Sequence, residues 1–282
     1  MNNIKIGFFG TPDYAVVVLE KLKAAGFDIA FVVTNPDRPQ GRKMIVTPPP
    51  VKVWAQSGEQ HNEVAVLQPE TLRDPAFEEK LKTFGCDVFV VMAYGKIIPD
   101  SILNIPRGKT LNIHPSLLPK FRGPSPIEAA ILADAKTTGV TIMRLDKEMD
   151  HGPIVVQKEY TADVWPPLAH ELGMKLVTEG ADLLISILPD WMDGKIQEKE
   201  QDHSQATYCK MIKKEDGLID LSDDEYKNFL KIQAYAGWPS AFFMKDGKRV
   251  KIARASWTDG KLVISEVTPE GKNTMSYQDY LR

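Results

Sequence analysis

Along the first two-thirds of the chain, short and nearly continuous apolar runs alternate with stretches whose apolar residues fall at helical spacing. Lys5-Ile6-Gly7-Phe8-Phe9, Ile29-Ala30-Phe31-Val32-Val33, Asp87-Val88-Phe89-Val90-Val91-Met92 and Thr110-Leu111-Asn112-Ile113 read as strands buried on both faces. Between them, Ala15, Val18, Leu19 and Leu22 mark a helix, with Thr11 as its expected cap and Pro12 in its first turn. Phe77, Leu81 and Phe84 mark another. Gly139 to Leu145 and Pro153 to Tyr160 read as two more strands. A long helix from about 168 to 188 follows, with Leu172, Leu176, Leu183 and Ile187 on its apolar face. Continuous apolar strands separated by helices predict an α/β domain of Rossmann-like type, a mainly parallel sheet with helices on both faces. Such sheets hold ligands beyond the carboxyl ends of their strands.

The texture changes after residue 189. Residues 190–206 are polar, with Lys195, Glu198, Lys199, Glu200, Gln201 and Asp202, and read as a linker or surface arm. Residues 207–282 predict a small β-rich domain. It has one helix, about Asp223 to Ala234, then short strands near Ala241–Met244, Val250–Arg254 and Leu262–Val267. The turn signals Asp246-Gly247 and Asp259-Gly260 separate the strands. The expected organisation is a catalytic domain at 1–189, a linker at 190–206 and a second domain at 207–282.

Composition narrows the class. The chain has 282 residues, 43% of them hydrophobic, with a formal charge of −3. That charge gives no general pull toward nucleic acid, so any RNA contact must come from local patches. No apolar run approaches the roughly 20 residues a membrane helix needs, and the first residues lack a signal-peptide layout. Cys86 and Cys209 are the only cysteines. They suit reduced thiols in a cytoplasmic protein better than a disulfide framework or a zinc site, and no metal is expected. Phe9-Gly10-Thr11-Pro12 occupies the dinucleotide-binding position but lacks the G-x-G-x-x-G fingerprint, and no P-loop run is present.

The strongest chemical signal is Asn112-Ile113-His114-Pro115-Ser116-Leu117-Leu118-Pro119, followed by Arg122-Gly123. Asn112 and His114 lie two apart at a strand's end and so share a face. An amide donor beside an imidazole, aimed at one carbonyl, can stabilise an oxyanion and move a proton. Alone, the pair reads more readily as core residues satisfied by backbone. Met149-Asp150-His151-Gly152 lies in the loop between two predicted strands, where Asp150 can reach His114. By itself it also reads as a simple turn. His151 alternates away from Asp150. His61, His170 and His203 read as solvated.

These residues resemble the formyltransferase family that uses 10-formyltetrahydrofolate. In that family the Asn-His-Asp set is catalytic and the Ser-Leu-Leu-Pro run lines the folate site. The resemblance therefore implies Asn112, His114 and Asp150 as catalytic residues. It implies Ser116, Leu117, Leu118 and Pro119, with Met92 and Tyr94, as folate contacts. Several stretches narrow it to the branch that formylates initiator methionyl-tRNA for translation initiation. These are residues 9–15, Asn35-Pro36-Asp37-Arg38-Pro39-Gln40-Gly41-Arg42, Thr47-Pro48-Pro49-Pro50-Val51-Lys52, residues 68–73, Ala93-Tyr94-Gly95-Lys96, residues 207–217 and Gly237-Trp238-Pro239. For that branch Thr11, Tyr14, Arg38, Arg42 and Lys43 are implied substrate or tRNA contacts. Initiator Met-tRNA and a reduced folate are the implied partners, with no membrane and no obligate protein partner. The alternative is a sugar-nucleotide N-formyltransferase, which shares the catalytic set. It has no need of residues 35–42 or 207–217.

Two features depart from the family. Arg42 and Lys43 are followed by apolar Met44-Ile45-Val46, which implies fewer phosphate contacts from that loop. The second domain, OB-like in the family, is short: the strand ending near Trp257 turns almost directly into Leu262–Val267. Its sheet is therefore expected to stay open, with Ser276 to Leu281 folding back as a helical turn over an edge. Arg249 and Lys251 share one strand face opposite Val250 and Ile252. By residue type alone this is a solvated face; with the resemblance it becomes an RNA-backbone patch.

Overall fold

The computed structural model describes residues 4–41, 43–57 and 64–282. In chain order it contains β1 (Lys5–Gly10), α1 (Asp13–Ala24), β2 (Asp28–Val33), β3 (Arg38–Gln40), β4 (Ile45–Thr47), α2 (Pro50–Gln56), β5 (Ala65–Leu67), α3 (Pro75–Thr83), β6 (Val88–Met92), α4 (Asp100–Leu103) and β7 (Thr110–His114). Then come α5 (Pro126–Leu132), β8 (Thr137–Arg144), β9 (Ile154–Thr161), α6 (Ala169–Met192), α7 (Glu225–Ala234), β10 (Phe242–Lys245), β11 (Lys248–Thr258), β12 (Lys261–Pro269), β13 (Met275–Ser276) and α8 (Tyr277–Leu281).

Seven strands form one sheet in the order β5-β2-β1-β6-β7-β8-β9. It is parallel from β5 to β7, and β8 joins antiparallel. Alternate side chains feed two apolar layers. Ile6, Phe8, Val90, Leu111 and Ile113 meet α1, α2 and α6 on one face. Phe9, Phe31, Phe89 and Val91 meet α3 and α4 on the other. This is the expected sheet with both faces covered. The chain runs outward from β1 to β2 and then crosses to β6 on the far side, so the switch in strand order falls between β1 and β6. A crevice at the carboxyl ends is expected there.

Local signals differ in places from the sequence reading. Thr11 does not cap α1. Pro12 stands at the cap position with no side-chain cap bond, and the Thr11 hydroxyl donates to the Tyr94 carbonyl at 3.4 Å. Along α6 the fully buried ridge is Leu172, Leu176, Val177, Ala181, Leu184 and Leu188. Leu183 and Ile187 flank it and are only partly buried, because 3.6-residue periodicity carries the core stripe one position past them. Helices α2, α3 and α5 start at prolines, whose missing N–H is harmless in a first turn.

The chain divides into two compact units. One comprises residues 1–122, 139–159 and 174–207; the other comprises 123–138, 160–173 and 208–282. In the second unit α5 packs on α7, and α7 on β11 and β12. Its sheet has the order β10-β11-β12-β13. Asp246-Gly247 (φ 52° and 72°) and Asp259-Gly260 (φ 52° and 73°) make the two tight turns, with both residues left-handed as a type I′ hairpin requires. Its core gathers Ile219, Ile232, Phe243, Val250, Ile252 and Val267. The short β13 follows the strand expected to be last and pairs with β12 through Glu266–Ser276 and Val267–Met275. Helix α8 then lays Tyr277 and Tyr280 against Phe243 at 6.3 and 6.4 Å. Leu281, expected on the same side, is instead 56% exposed.

Candidate active site

The turn after β1, the residues after β2 and the residues after β6 converge on one carbonyl. Tyr94 accepts from the Thr11 hydroxyl at 3.4 Å and from the Asn35 amide at 3.2 Å. A Cβ on Gly10 would sit 2.6 Å from the Ala15 Cβ and 2.9 Å from the Met92 carbonyl, so only glycine permits this approach. Gln68 donates to the Asn35 carbonyl and to Asp37, each at 2.8 Å. Lys52 pairs with Asp37 at 2.7 Å. The Gln68 and Lys52 hydrogen bonds hold the Asp37 carboxyl below its ordinary range.

On β7, Leu111 and Ile113 enter the core, so Thr110, Asn112 and His114 face the other way. Asn112 lies beside Val91 of β6 and Met143 of β8. It is 8% exposed, and His114 is 4% exposed. The His114 Nε2 faces the Phe121 carbonyl at 3.1 Å. Because that acceptor has no proton to give, Nε2 carries one. Nδ1 lies 3.7 Å from Asp150 Oδ1. Among the described residues, no group hydrogen-bonds the Asn112 side-chain amide. The sheet thus brings the three expected catalytic residues to one end, with one amide in reserve.

Asp150 adopts a left-handed backbone, φ 50°, a conformation that Asp tolerates better than most residues. Two residues on, a Cβ at Gly152 would collide with the Arg144 carbonyl. His151 turns elsewhere: its Nδ1 pairs with Asp146 at 2.8 Å, and its ring stacks on His203 at 4.0 Å. His203 is therefore more than solvated, since its Nδ1 also accepts from Arg122 at 2.8 Å. His61 lies outside the described residues.

The Ser-Leu-Leu-Pro run is strongly committed within the protein. The Ser116 hydroxyl donates to the Lys120 carbonyl at 2.6 Å. The Leu118 N–H donates to the Thr141 hydroxyl at 3.2 Å, and its carbonyl accepts from Gln157 at 2.8 Å. Leu118 is buried, while Leu117 and Pro119 are half-buried. Met92 and Tyr94 are both buried. Burial pushes the Tyr94 phenol up, and its hydroxyl finds no partner among the described residues.

Of the implied tRNA contacts, Thr11 and Tyr14 are half-buried, and Arg38 and Lys43 are exposed. Arg42 lies outside the described residues. Arg38 approaches Glu70 at 3.9 Å. Lys251 is exposed, whereas the Arg249 guanidinium lies 4.0 Å over the Phe242 ring. Gln201, which donates to the Asp150 backbone carbonyl, and Thr207, which accepts from the Phe121 N–H, are not singled out as site residues by the sequence reading. Gln201 sits in polar sequence with no motif of its own, and Thr207 opens the 207–217 stretch without any sign of a role in the site.

This arrangement, an amide donor and an imidazole 3.7 Å from a carboxylate at the end of the parallel strands, has the kinds of group an acyl transfer uses, without a side-chain nucleophile in the set. Residues 3–188 match the family model described as formyl transferase, and residues 211–261 match that of the formyl transferase C-terminal domain. The chain belongs to the formyl transferase family. It is 48% identical to the methionyl-tRNA formyltransferase of Chloroflexus aurantiacus, covering 90% of this chain and 80% of that protein. It is 39% identical to that of Herpetosiphon aurantiacus, covering 99% of this chain and 97% of that protein. Among solved structures, the methionyl-tRNA formyltransferase of Clostridium thermocellum superposes with a TM-score of 0.63 at 16% identity, covering 94% of this chain and 98% of that one.

Proposed function

We infer that this protein transfers a formyl group from 10-formyltetrahydrofolate to the α-amine of initiator methionyl-tRNA. The observation that carries the reaction is the placement of Asn112 and His114 on one face at the end of β7, with Asp150 at 3.7 Å. What favours methionyl-tRNA over an amino sugar is the similarity to a methionyl-tRNA formyltransferase across nearly the whole of both chains.

Bound reduced folate supplies a formyl group activated toward a nitrogen nucleophile. The protein's part is electrostatic. The unengaged Asn112 amide donates to the oxygen that gains charge as the amine attacks. An oxyanion is a stronger acceptor than a neutral carbonyl, so it competes with the Phe121 carbonyl for the His114 Nε2 proton. Charge drawn onto the imidazole is balanced by Asp150 on the Nδ1 side. The amine loses one proton as its C–N bond forms, and the departing folate nitrogen takes one up. Asp150 and His114 are the groups placed to move them. The orphaned Tyr94 hydroxyl and the half-buried Leu117 and Pro119 fit a largely apolar folate ring with a polar edge. Met92, Ser116 and Leu118 shape that wall from behind.

Arg38 and Lys43 lie on the β3–β4 segment, whose Met44, Ile45 and Val46 are exposed, and Arg42 is proposed with them from the sequence alone. With Thr11, Tyr14, Arg249 and Lys251 they are the proposed contacts to the acceptor end and backbone of the tRNA. Among the described residues no helix is long and apolar enough to cross a membrane, and the proposed setting is the cytoplasm. The proposed organisation keeps 1–189 for catalysis and 207–282 as a shortened β-rich second domain. The test offers formyl-labelled folate together with methionyl-tRNA, a nucleotide-linked amino sugar or water alone. Label in methionyl-tRNA is the expected result. Label only in the sugar, or only in free formate, overturns the assignment.

A further inference from the structure

The segment expected to be a polar connector carries a residue at the heart of the site. Gln201 is 5% exposed. Its amide nitrogen donates to the carbonyls of Asp150 at 3.0 Å and Gly152 at 2.7 Å. Its oxygen accepts from Nε and Nη2 of Arg122, itself 1% exposed, at 3.1 and 2.7 Å. Both amide hydrogens and the carbonyl oxygen are thereby used. Further along the same segment, the Thr207 hydroxyl accepts from the Phe121 N–H at 2.8 Å, and its carbonyl accepts from the Arg122 N–H at 2.9 Å. Its own N–H donates to Pro119 at 3.2 Å. Phe121 is the residue whose carbonyl holds His114 Nε2, and it is held with φ at 59°.

We propose that the 201–207 segment is a positioning clamp for the catalytic pair, with Gln201 setting Asp150 and Thr207 setting the carbonyl that orients His114. Fixing the carbonyl of a left-handed residue fixes the direction of its Cα–Cβ bond, and so where its carboxylate points. Arg122 makes the clamp rigid by locking the orientation of the Gln201 amide. The two grips act on opposite ring nitrogens of His114, one through Phe121 and one through Asp150. A displacement of the segment alters both at once. The clamp rests on the formyl-transfer reading above.

The experiment measures formyl transfer to methionyl-tRNA by the full-length chain, with a thermal melt for each variant. Gln201→Glu keeps an acceptor for Arg122 but sets an oxygen against two carbonyl oxygens. Gln201→Ala removes its bonds to the Asp150 and Gly152 carbonyls and to Arg122. Both lower kcat by roughly 10²-fold, the cost of misplacing a reacting group by about 1 Å, with KM for either substrate changed less than about twofold. In an Asp150→Asn background, Gln201→Glu costs less than about twofold more, because a residue acting through Asp150 has nothing left to position. Thr207→Val lowers kcat, and Thr207→Ser, which keeps the hydroxyl, restores it. Wild-type kcat in Gln201→Glu, a loss confined to KM, or losses that multiply with Asp150→Asn overturn the clamp. Equal kcat in the two Thr207 variants overturns the part given to Thr207. If Gln201→Ala fails to fold, Gln201→Glu and the Thr207 pair still decide. A wild-type protein that transfers no formyl group to methionyl-tRNA defeats the underlying reading instead.

Discussion

Nδ1 of His114 stands 3.7 Å from a carboxylate oxygen of Asp150, while Nε2 of the same ring faces the Phe121 carbonyl at 3.1 Å. The ring is thus held from both sides, by a backbone carbonyl and by a carboxylate. Asp150→Asn keeps the size and the tolerance for a left-handed backbone but removes the charge facing Nδ1. It is expected to lower kcat by about 10² or more, with the melting temperature within a few degrees of wild type. Single-turnover formyl transfer checks this, and unchanged turnover makes Asp150 a turn residue only.

Asn112 and His114 can be separated by what each leaves behind. Asn112→Ala removes a donor that no described residue uses, so little else in the structure depends on it. A loss of about 10²–10³ in kcat is expected, with folate affinity nearly unchanged. His114→Ala removes an equal donor and also the hydrogen bond to the carbonyl of half-buried Phe121, so it also costs about 0.5–1.5 kcal/mol of stability. Turnover near wild type in either variant removes that residue from the mechanism. Equal stability of the two variants contradicts the proposed grip on His114.

Lys251 and Arg249 are predicted to differ, although they lie on one strand face. Arg249 spends its guanidinium on the Phe242 ring at 4.0 Å, so its removal mixes packing with charge. Lys251 is exposed, and Lys251→Glu changes charge alone. It is expected to raise KM for methionyl-tRNA at low salt, with the difference from wild type shrinking as salt rises. Equal KM values across a salt series refute an RNA contact at this strand.

The parallel strands and the shared face of Asn112 and His114 are legible because each obeys a local rule, whereas Asp150 alone reads as a turn residue. Leu111 and Ile113 alternate with Asn112 and His114, and period two alone then puts the polar pair on one face. The two Asp-Gly turns of the second unit are equally local. Gln201 is illegible for the opposite reason. It stands between Glu200 and Asp202 in a run that reads as solvated, and its burial depends on Arg122, 79 residues away. Thr11 misleads in a similar way. A threonine before a helix suits a cap, but its hydroxyl is drawn to the Tyr94 carbonyl across the sheet.

Cys86 gives a pH test independent of catalysis. Burial raises its thiol from 9.0 to about 12. The folded protein therefore keeps the proton while an unfolded chain releases it near 9.0. Stability from this site is fully present below that pH and falls as pH rises toward about 12, by at most about 1.4 kcal/mol per unit. Cys86→Ala should flatten this part of the stability profile when denaturation curves are compared between pH 8.5 and 10.5, roughly the range where a free thiol ionises. Identical slopes for the two proteins would falsify the assignment. In a Cys209→Ser background, Cys86 should also resist alkylation at neutral pH until the chain is unfolded.

The end of the chain gives the last prediction. The second unit's sheet has two long central strands, β11 and β12, and among the described residues the far side of β12 is paired by the two residues of β13. Beyond that pairing α8 supplies the cover, through rings rather than backbone. Tyr277 and Tyr280 meet Phe243 at 6.3 and 6.4 Å, and the Lys245 ammonium lies 5.0 Å over the Tyr280 ring. Each aromatic pair contributes about 0.5–1.5 kcal/mol beyond its buried area, so Tyr277→Ala/Tyr280→Ala together should cost about 2–4 kcal/mol once that area is included. The larger consequence is at the edge. With α8 no longer anchored, β13 has little to hold it, and the freed flank of β12 offers unpaired backbone to another chain. The double variant is therefore expected to melt earlier and to aggregate with increasing concentration, while kcat at low concentration stays near wild type, since none of these rings belongs to the proposed site. Light scattering against concentration, run beside the activity assay, decides the matter. A variant that scatters no more than wild type and is as stable shows that β12 needs no cover.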